Sequence, residues 1–218
     1  THSDMEQSLD LCTNHQSETE CCEQLLKAVS SLNSGGTVIY PTDTLYGLGA
    51  DAFNEASLQN IFDIKGRSDQ QALPLLVESW DMVSYIAQDL NECGLKLSEQ
   101  FWPGSLTLVF TANERISKLV TGGRDTVAVR QPNHWIVLEM IKRLGRPIVG
   151  TSANLSGTPN LMNYCDLKTS LGHLVGHIVS CGPNPLGIGS TVVDVSTGEP
   201  SILRQGSISR EDILSALC

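Results

Sequence analysis

The residues that could do chemistry here are cations set beside glycines and loops dense in hydroxyls. The chain has 218 residues and only 14 lysines and arginines, so the places where they gather carry information. Lys65 and Arg67 flank Gly66 in KGRSDQQ (65–71), where the glycine lets the backbone bend and both cations approach one anion. Arg124 and Arg130 flank the short apolar run DTVAVR, and Arg204 closes SILR. Three segments supply oxygens. YPTDTLYGLGAD (40–51) carries Thr42, Asp43, Thr44 and Tyr46. GTSANLSG (150–157) carries Thr151, Ser152, Asn154 and Ser156 between glycines. GIGSTVVD (187–194) carries Ser190. Hydroxyls, amides and backbone N–H groups at a strand end suit a phosphate, a ribose or a small polar ligand. The same hydroxyls can also serve as caps for their own helices.

Familiar nucleotide loops are absent. GLGADA (47–52) satisfies G-x-G-x-x-A, but PTDTLY separates it from the strand that should precede it directly. No GKS or GKT occurs, which excludes an ordinary P-loop. Neither GxSxG nor a Cys/His pair supplies a nucleophile with its base. A reaction on this scaffold would run by positioning two substrates and stabilising charge on phosphate.

The elements that must hold these residues can be read in order. Ser17 with Glu20 forms a capping box for a helix to about Ser31. TVIY (37–40) is a buried strand and leads into a polar, Gly-containing turn. Asn54 and Glu55 start a helix that ends near Lys65, with Leu58, Ile61 and Phe62 facing the core. ALPLLV (72–77) is strand-like, Ser79 caps a helix through Ile86, and a second covers about 89–101. Strands follow at 105–112 and 125–130, a helix at 134–145, and the strand PIVGTSA at 147–153. HLVGHIVS (173–180) and STVVDVS (190–196) read as strands, SILR (201–204) closes a hairpin, and Ser209 with Asp212 caps a last helix through Leu217. The mixture predicts an α/β fold with a mixed sheet, as one domain over 17–218 behind a flexible segment at 1–16.

Composition bounds the rest. The 40% apolar content supports a core, and no run nears the ~20 apolar residues of a membrane span. The leading THSDMEQSLDLC is polar and acidic, unlike a secretory leader, so a cytoplasmic placement is expected. Seven cysteines at 12, 21, 22, 93, 165, 181 and 218 form no CxxC and read as reduced thiols. His173 and His177 lie in a Gly-containing, β-branched stretch, which does not favour a metal pair. A net charge of −10 argues against broad nucleic-acid binding while permitting a local basic cleft.

Seven segments in order, GGTVIYPTDTLYGLGADA, KGRSDQQALPLLV, FWPGSLTLVF, TVAVRQP, IVGTSANLSG, GSTVVDVS and ILRQGSIS, resemble the YrdC domain family, the threonylcarbamoyl-AMP synthases of tRNA modification. The resemblance spans about residues 23–217. It implies a twisted open mixed sheet with flanking helices and a basic concave cavity. The implied reaction joins L-threonine, bicarbonate (or CO2) and ATP, with Mg²⁺, into threonylcarbamoyl-AMP and pyrophosphate. A partner transferase then modifies the adenosine beside the anticodon in tRNA.

By the same resemblance, Thr44, Arg130, Gly150 and Ser190 fall to the amino acid. Lys65, Arg67, Gln71, Thr126, Ser152, Asn154, Asn160 and Arg204 fall to ATP. No acid or base residue is implied. The sequence departs from some members at Gln71, Leu76 and Asn160, where they have Asn, His and Ser. Longer relatives carry a second C-terminal domain that a chain ending at Cys218 would lack, so the short, single-domain form is expected. Two other readings stand beside the enzyme: a double-stranded RNA or tRNA binder with possible tRNA contact, and a paralogue handling another carbamoyl adenylate.

Overall fold

A computed structural model describes residues 16–218; the expected flexible segment lies, but for Gln16, outside the described residues. The helix starts follow the predicted chemistry. Helix α1 (Glu18–Asn33) opens on the capping box: Glu20 N–H donates to Ser17 Oγ at 3.2 Å, and Ser17 N–H to Glu20 Oε2 at 2.9 Å. Its apolar stripe of Cys21, Leu25, Ala28 and Leu32 packs with Ile136, Val137, Met140 and Ile141 of α6 (Trp135–Leu144). Helix α2 (Glu55–Lys65) begins where Ser57 N–H donates to Asn54 Oδ1 at 3.1 Å. It ends at Gly66, whose φ of 57° is the left-handed C-cap that glycine favours.

Two mixed sheets form rather than the one expected. The first has the order β8 (Thr151–Ser152), β2 (Gly47–Gly49), β1 (Val38–Tyr40), β9 (His177–Ile178). The second runs β11 (Ser201–Arg204), β10 (Thr191–Asp194), β5 (Leu106–Ala112), β6 (Thr126–Arg130), β3 (Leu75–Leu76), β7 (Ile148–Val149), with β4 (Ala87–Gln88) on β5. The segment PIVGTSA, read as one strand, divides at Gly150: Val149 belongs to the second sheet and Thr151 to the first. A Cβ on Gly150 would meet Leu76 Cγ at 2.6 Å, so the close passage needs a glycine.

The glycines of the opening motif are corrected as well. Gly47 and Gly49 are not a turn but part of a buried strand that pairs antiparallel with β1. The Tyr40 ring occupies the space their side chains would take: added Cβ atoms would lie 2.5 Å from its carbons, and at Gly49 also 2.8 Å from Val149 O. The Tyr40 hydroxyl donates to Val149 O, and burial pushes its ionisation far above the ordinary tyrosine value.

The strand read at 173–180 shortens to β9. Two further helices were not foreseen, α5 (Lys118–Thr121) and α7 (Tyr164–Leu171), the latter capped by Asn163. Helices α3 (Trp80–Ile86) and α8 (Arg210–Leu217) stand close to where capping residues placed them, and α4 (Glu92–Phe101), read at about 89–101, is capped by Asn91. The expectation of reduced thiols throughout is overturned at Cys165, which is disulfide-bonded, and at one further pair. Cys21 and Cys181 form a disulfide across a separation of 160 residues, joining α1 to the segment after β9. Sequence spacing gave no hint of it, because tertiary packing alone brings the two together.

Candidate active site

The turn between β1 and β2 is held by Thr42. Its Oγ1 accepts the N–H groups of Thr44 (3.1 Å) and Leu45 (3.2 Å), and its hydrogen goes to Leu45 O at 2.6 Å. This fixes Thr44 at the lip of a cavity of about 420 Å³ in which both sheets take part. Asp43, one residue earlier, reaches the Arg130 guanidinium: Asp43 Oδ1 lies 3.1 Å from Nη1 of Arg130. Gly104 O accepts weakly from the same nitrogen at 3.4 Å. Arg130, at the end of β6, is 5% exposed. Burial pulls its ionisation below the ordinary arginine value, while Asp43 and Tyr40 oppose the shift. It remains a cation, aimed into the cavity from beside the Thr44 turn.

On the opposite wall, Arg67 Nη1 donates to Thr151 Oγ1 at 3.3 Å and Nη2 to Ala72 O at 3.0 Å. Among the described residues its buried Nε has no partner, so the guanidinium keeps an unsatisfied donor. The loop after β8 is tightly sewn. Ser152 Oγ donates to Asn154 Oδ1 at 2.7 Å, and Asn154 Nδ2 to Thr158 O at 2.6 Å. Behind it stands Lys65. Its ammonium donates to Ser152 O, to Asn154 O at 2.8 Å and to Asn154 Oδ1 at 3.1 Å, which uses all three N–H bonds. Burial and then the Arg67 charge pull its ionisation down to about 8.

The far wall comes from β10 and β11. Arg204 donates to Ser190 O from Nε (3.2 Å) and Nη2 (2.9 Å), and Ser190 Oγ lies 2.7 Å from Thr107 Oγ1.

Of the expected site residues, Thr44, Arg67, Arg130, Gly150, Ser152, Asn160, Ser190 and Arg204 line this one cavity. Lys65, Gln71, Thr126 and Asn154 are not among its lining residues. Lys65 and Asn154 stand behind the wall as described. Gln71 is exposed on the segment after α2, and Thr126 pairs with Thr111 at the far end of β6. Leu76 stands in the cavity as an apolar group. Sequence reasoning missed Thr107, one of two threonines in β5; the alternation of LTLVFTA was the signal for its face. Among the described residues no carboxylate lines the cavity, and no cluster of His, Cys, Asp or Glu could hold a metal ion.

Two mixed sheets that share a cavity lined by guanidinium groups and hydroxyls make this an α/β protein with a polar, arginine-lined cavity. The chain belongs to the Sua5/YciO/YrdC family, whose model, described as "Telomere recombination", matches residues 30–206. It is 37% identical over 186 residues to the threonylcarbamoyl-AMP synthase of Pyrococcus abyssi, covering 85% of this chain and 55% of that protein. A putative threonylcarbamoyl-AMP synthase of Mycobacterium tuberculosis (strain H37Rv) is 32% identical over 193 residues, with 88% of each chain covered. The crystal structure of P. abyssi Sua5 complexed with L-threonine superposes with a TM-score of 0.85 at 35% identity, over 88% of this chain and 57% of that one. The chain thus spans little more than half of the archaeal protein and most of the mycobacterial one. The crystal structure of E. coli YciO, with a TM-score of 0.77 at 22% identity, covers 87% of this chain and shares the fold.

Proposed function

We propose that this chain is an L-threonylcarbamoyladenylate synthase. It takes L-threonine, bicarbonate (or CO2) and ATP to threonylcarbamoyl-AMP and pyrophosphate. The observation that carries this reading is the meeting, in one cavity, of a buried guanidinium beside a threonine hydroxyl with a second group of arginines and hydroxyls on the opposite walls.

Arg130 suits the amino-acid carboxylate, because a planar guanidinium pairs with a carboxylate through two hydrogen bonds. Thr44, Gly150 and Ser190 complete that end. Arg67, Ser152, Asn160 and Arg204 suit the nucleotide, with Gln71 and Thr126 at the margin. Lys65 and Asn154 act through the loop that presents Ser152. The unprotonated threonine amine adds to the carbon of CO2, and one N–H proton passes to water, to give a carbamate. A carbamate oxygen then attacks the α-phosphorus, and pyrophosphate leaves with its bonding electron pair. No acid or base residue is needed if the two substrates are held in line. Mg²⁺ would enter with the ATP substrate and help neutralise its phosphates, since among the described residues no carboxylate lines the cavity to hold it.

The product would pass to a transferase acting on tRNA, in the cytoplasm. Among the described residues no helix is long and apolar enough to cross a membrane.

The test is pyrophosphate release in the presence of ATP, Mg²⁺ and bicarbonate, with and without L-threonine. Release should require threonine. RNA binding without threonine-dependent release would instead favour the RNA-binding module, and release that ignores threonine would sink the synthase reading.

A further inference from the structure

Facing residues on the floor of the cavity form one row across the second sheet. Val192 registers with Arg204 on β11 and with Thr107 on β5, and Leu76 registers with Arg130. One step on from Leu108 opposite Val129, Thr107 stands across from Arg130. The row reads Arg204, Val192, Thr107, Arg130, Leu76, and every member lines the cavity. Three strand spacings separate the two arginine backbones, about 14 Å at the usual distance between strands. Thr107 lies between them. Ser190, two residues before Val192, lies over the same floor.

The hydroxyl hydrogens at this point can be counted. Thr107 Oγ1 and Ser190 Oγ are 2.7 Å apart, so one of their two hydrogens lies between them. Arg204 Nη2 donates to Ser190 Oγ at 3.2 Å. Among the described residues neither hydroxyl has any other acceptor. When Thr107 donates to Ser190, the two lone pairs of Ser190 are filled by Thr107 and Arg204, and its own hydrogen is free. With the order reversed, the free hydrogen belongs to Thr107. Either way the pair presents one donor between two guanidinium groups, on a surface without a carboxylate. The matching ligand atom is an anionic oxygen.

We propose that Thr107 is a positioning residue: together with Ser190 it presents a single hydroxyl donor to an anionic substrate oxygen held between Arg130 and Arg204. This rests on the synthase reading for the identity of that oxygen. With the threonine carboxylate on Arg130 and the nucleotide on Arg204, the oxygen between them belongs to the carbamate that joins the two. The donor then helps hold the carbamate in line with the α-phosphorus and itself makes no covalent bond.

The experiment compares wild type, Thr107→Val and Thr107→Ser in threonine-dependent pyrophosphate release, with L-threonine affinity measured by calorimetry and thermal melting alongside. Thr107→Val should lose about tenfold in kcat, a fraction of what removal of a direct charge-stabilising donor costs, with KM for ATP within about twofold of wild type. Thr107→Ser, which keeps the hydroxyl, should recover most of the rate. A Thr107→Val enzyme of wild-type kcat, or a Thr107→Ser variant as slow as Thr107→Val, overturns the proposal. If Thr107→Val fails to fold, the serine variant alone decides, since loss of rate in a folded Thr107→Ser protein contradicts the role of the hydroxyl. If wild type releases no pyrophosphate with threonine, the synthase reading falls. Calorimetry then judges Thr107: the valine variant should bind L-threonine about fivefold more weakly than wild type, and equal affinity, or no binding by wild type, overturns the role.

Discussion

Arg130 has two tasks that a second substitution, at Asp43, can separate. It offers its fork to the cavity and neutralises Asp43, whose side chain is 15% exposed against 6% for Arg130. Removing one partner of a largely buried pair leaves the other charge without compensation. Arg130→Ala should therefore cost about 3 kcal/mol in urea unfolding as well as abolishing L-threonine binding. The double variant Arg130→Ala/Asp43→Asn should recover much of the stability while the threonine affinity stays lost. If calorimetry finds wild-type threonine affinity in Arg130→Ala, the residue does not hold the carboxylate. The sequence pointed to Arg130 through its place at a strand end among small residues. It could not show Asp43 beneath the guanidinium, because the pair forms only when the β1–β2 turn folds over β6.

Among the elements, those with local chemistry were the legible ones. Ser17, Asn54, Ser79 and Ser209 each accept a backbone N–H at the start of the helix they announce, so a few neighbouring residues decide the boundary. Strand β2 was illegible because Gly-Leu-Gly has no β-forming pattern, and what makes it a strand is the Tyr40 ring lying where side chains would be. Gly49→Ala should thus destabilise by about 2 kcal/mol, read as a lower urea midpoint at unchanged slope, since neither the ring nor Val149 O has room to withdraw.

The loop after β8 depends on Lys65 in a pH-sensitive way. Its ionisation sits at about 8, below the ordinary 10.5. Across that window the unfolded chain holds a proton that the folded one has shed, so this group's contribution to stability rises with pH; below about 8 the fold carries the full cost of a buried charge. The neutral amine also has one donor fewer for its three acceptors. Lysine-selective carbon-13 NMR should show Lys65 titrating near 8, and a midpoint close to the ordinary value would contradict the burial described here.

At the scale of the molecule, the Cys21–Cys181 bond encloses 160 residues of sequence separation. A cross-link over so long a loop restricts the unfolded chain strongly, and its removal typically costs about 2–5 kcal/mol. Cys21→Ser/Cys181→Ser should unfold more readily than oxidised wild type by that order, and dithiothreitol, which also reduces the bond at Cys165, should lower the wild type at least as far. A cytoplasmic home would keep these thiols reduced. Alkylation of the protein in rapidly quenched cells, followed by mass measurement, distinguishes the states.

The two sheets also set the order in which the site becomes complete. Thr44, Arg67, Arg130 and Ser152 are all in place before the chain reaches β9, yet Ser190 and Arg204 come from the β10–β11 hairpin at one edge of the second sheet. A nascent polypeptide therefore has Thr44, Arg67 and Arg130 in hand before it has either Ser190 and Arg204 or the core residues Val193, Val195 and Ile213. Protease cleavage in the exposed Leu186–Ile188 stretch, if the hairpin is then lost, would leave both central strands and three walls but strip the floor row of Arg204 and Val192. Because Val193 and Val195 also belong to the core, a clipped or unfinished chain should lose stability together with ligand affinity.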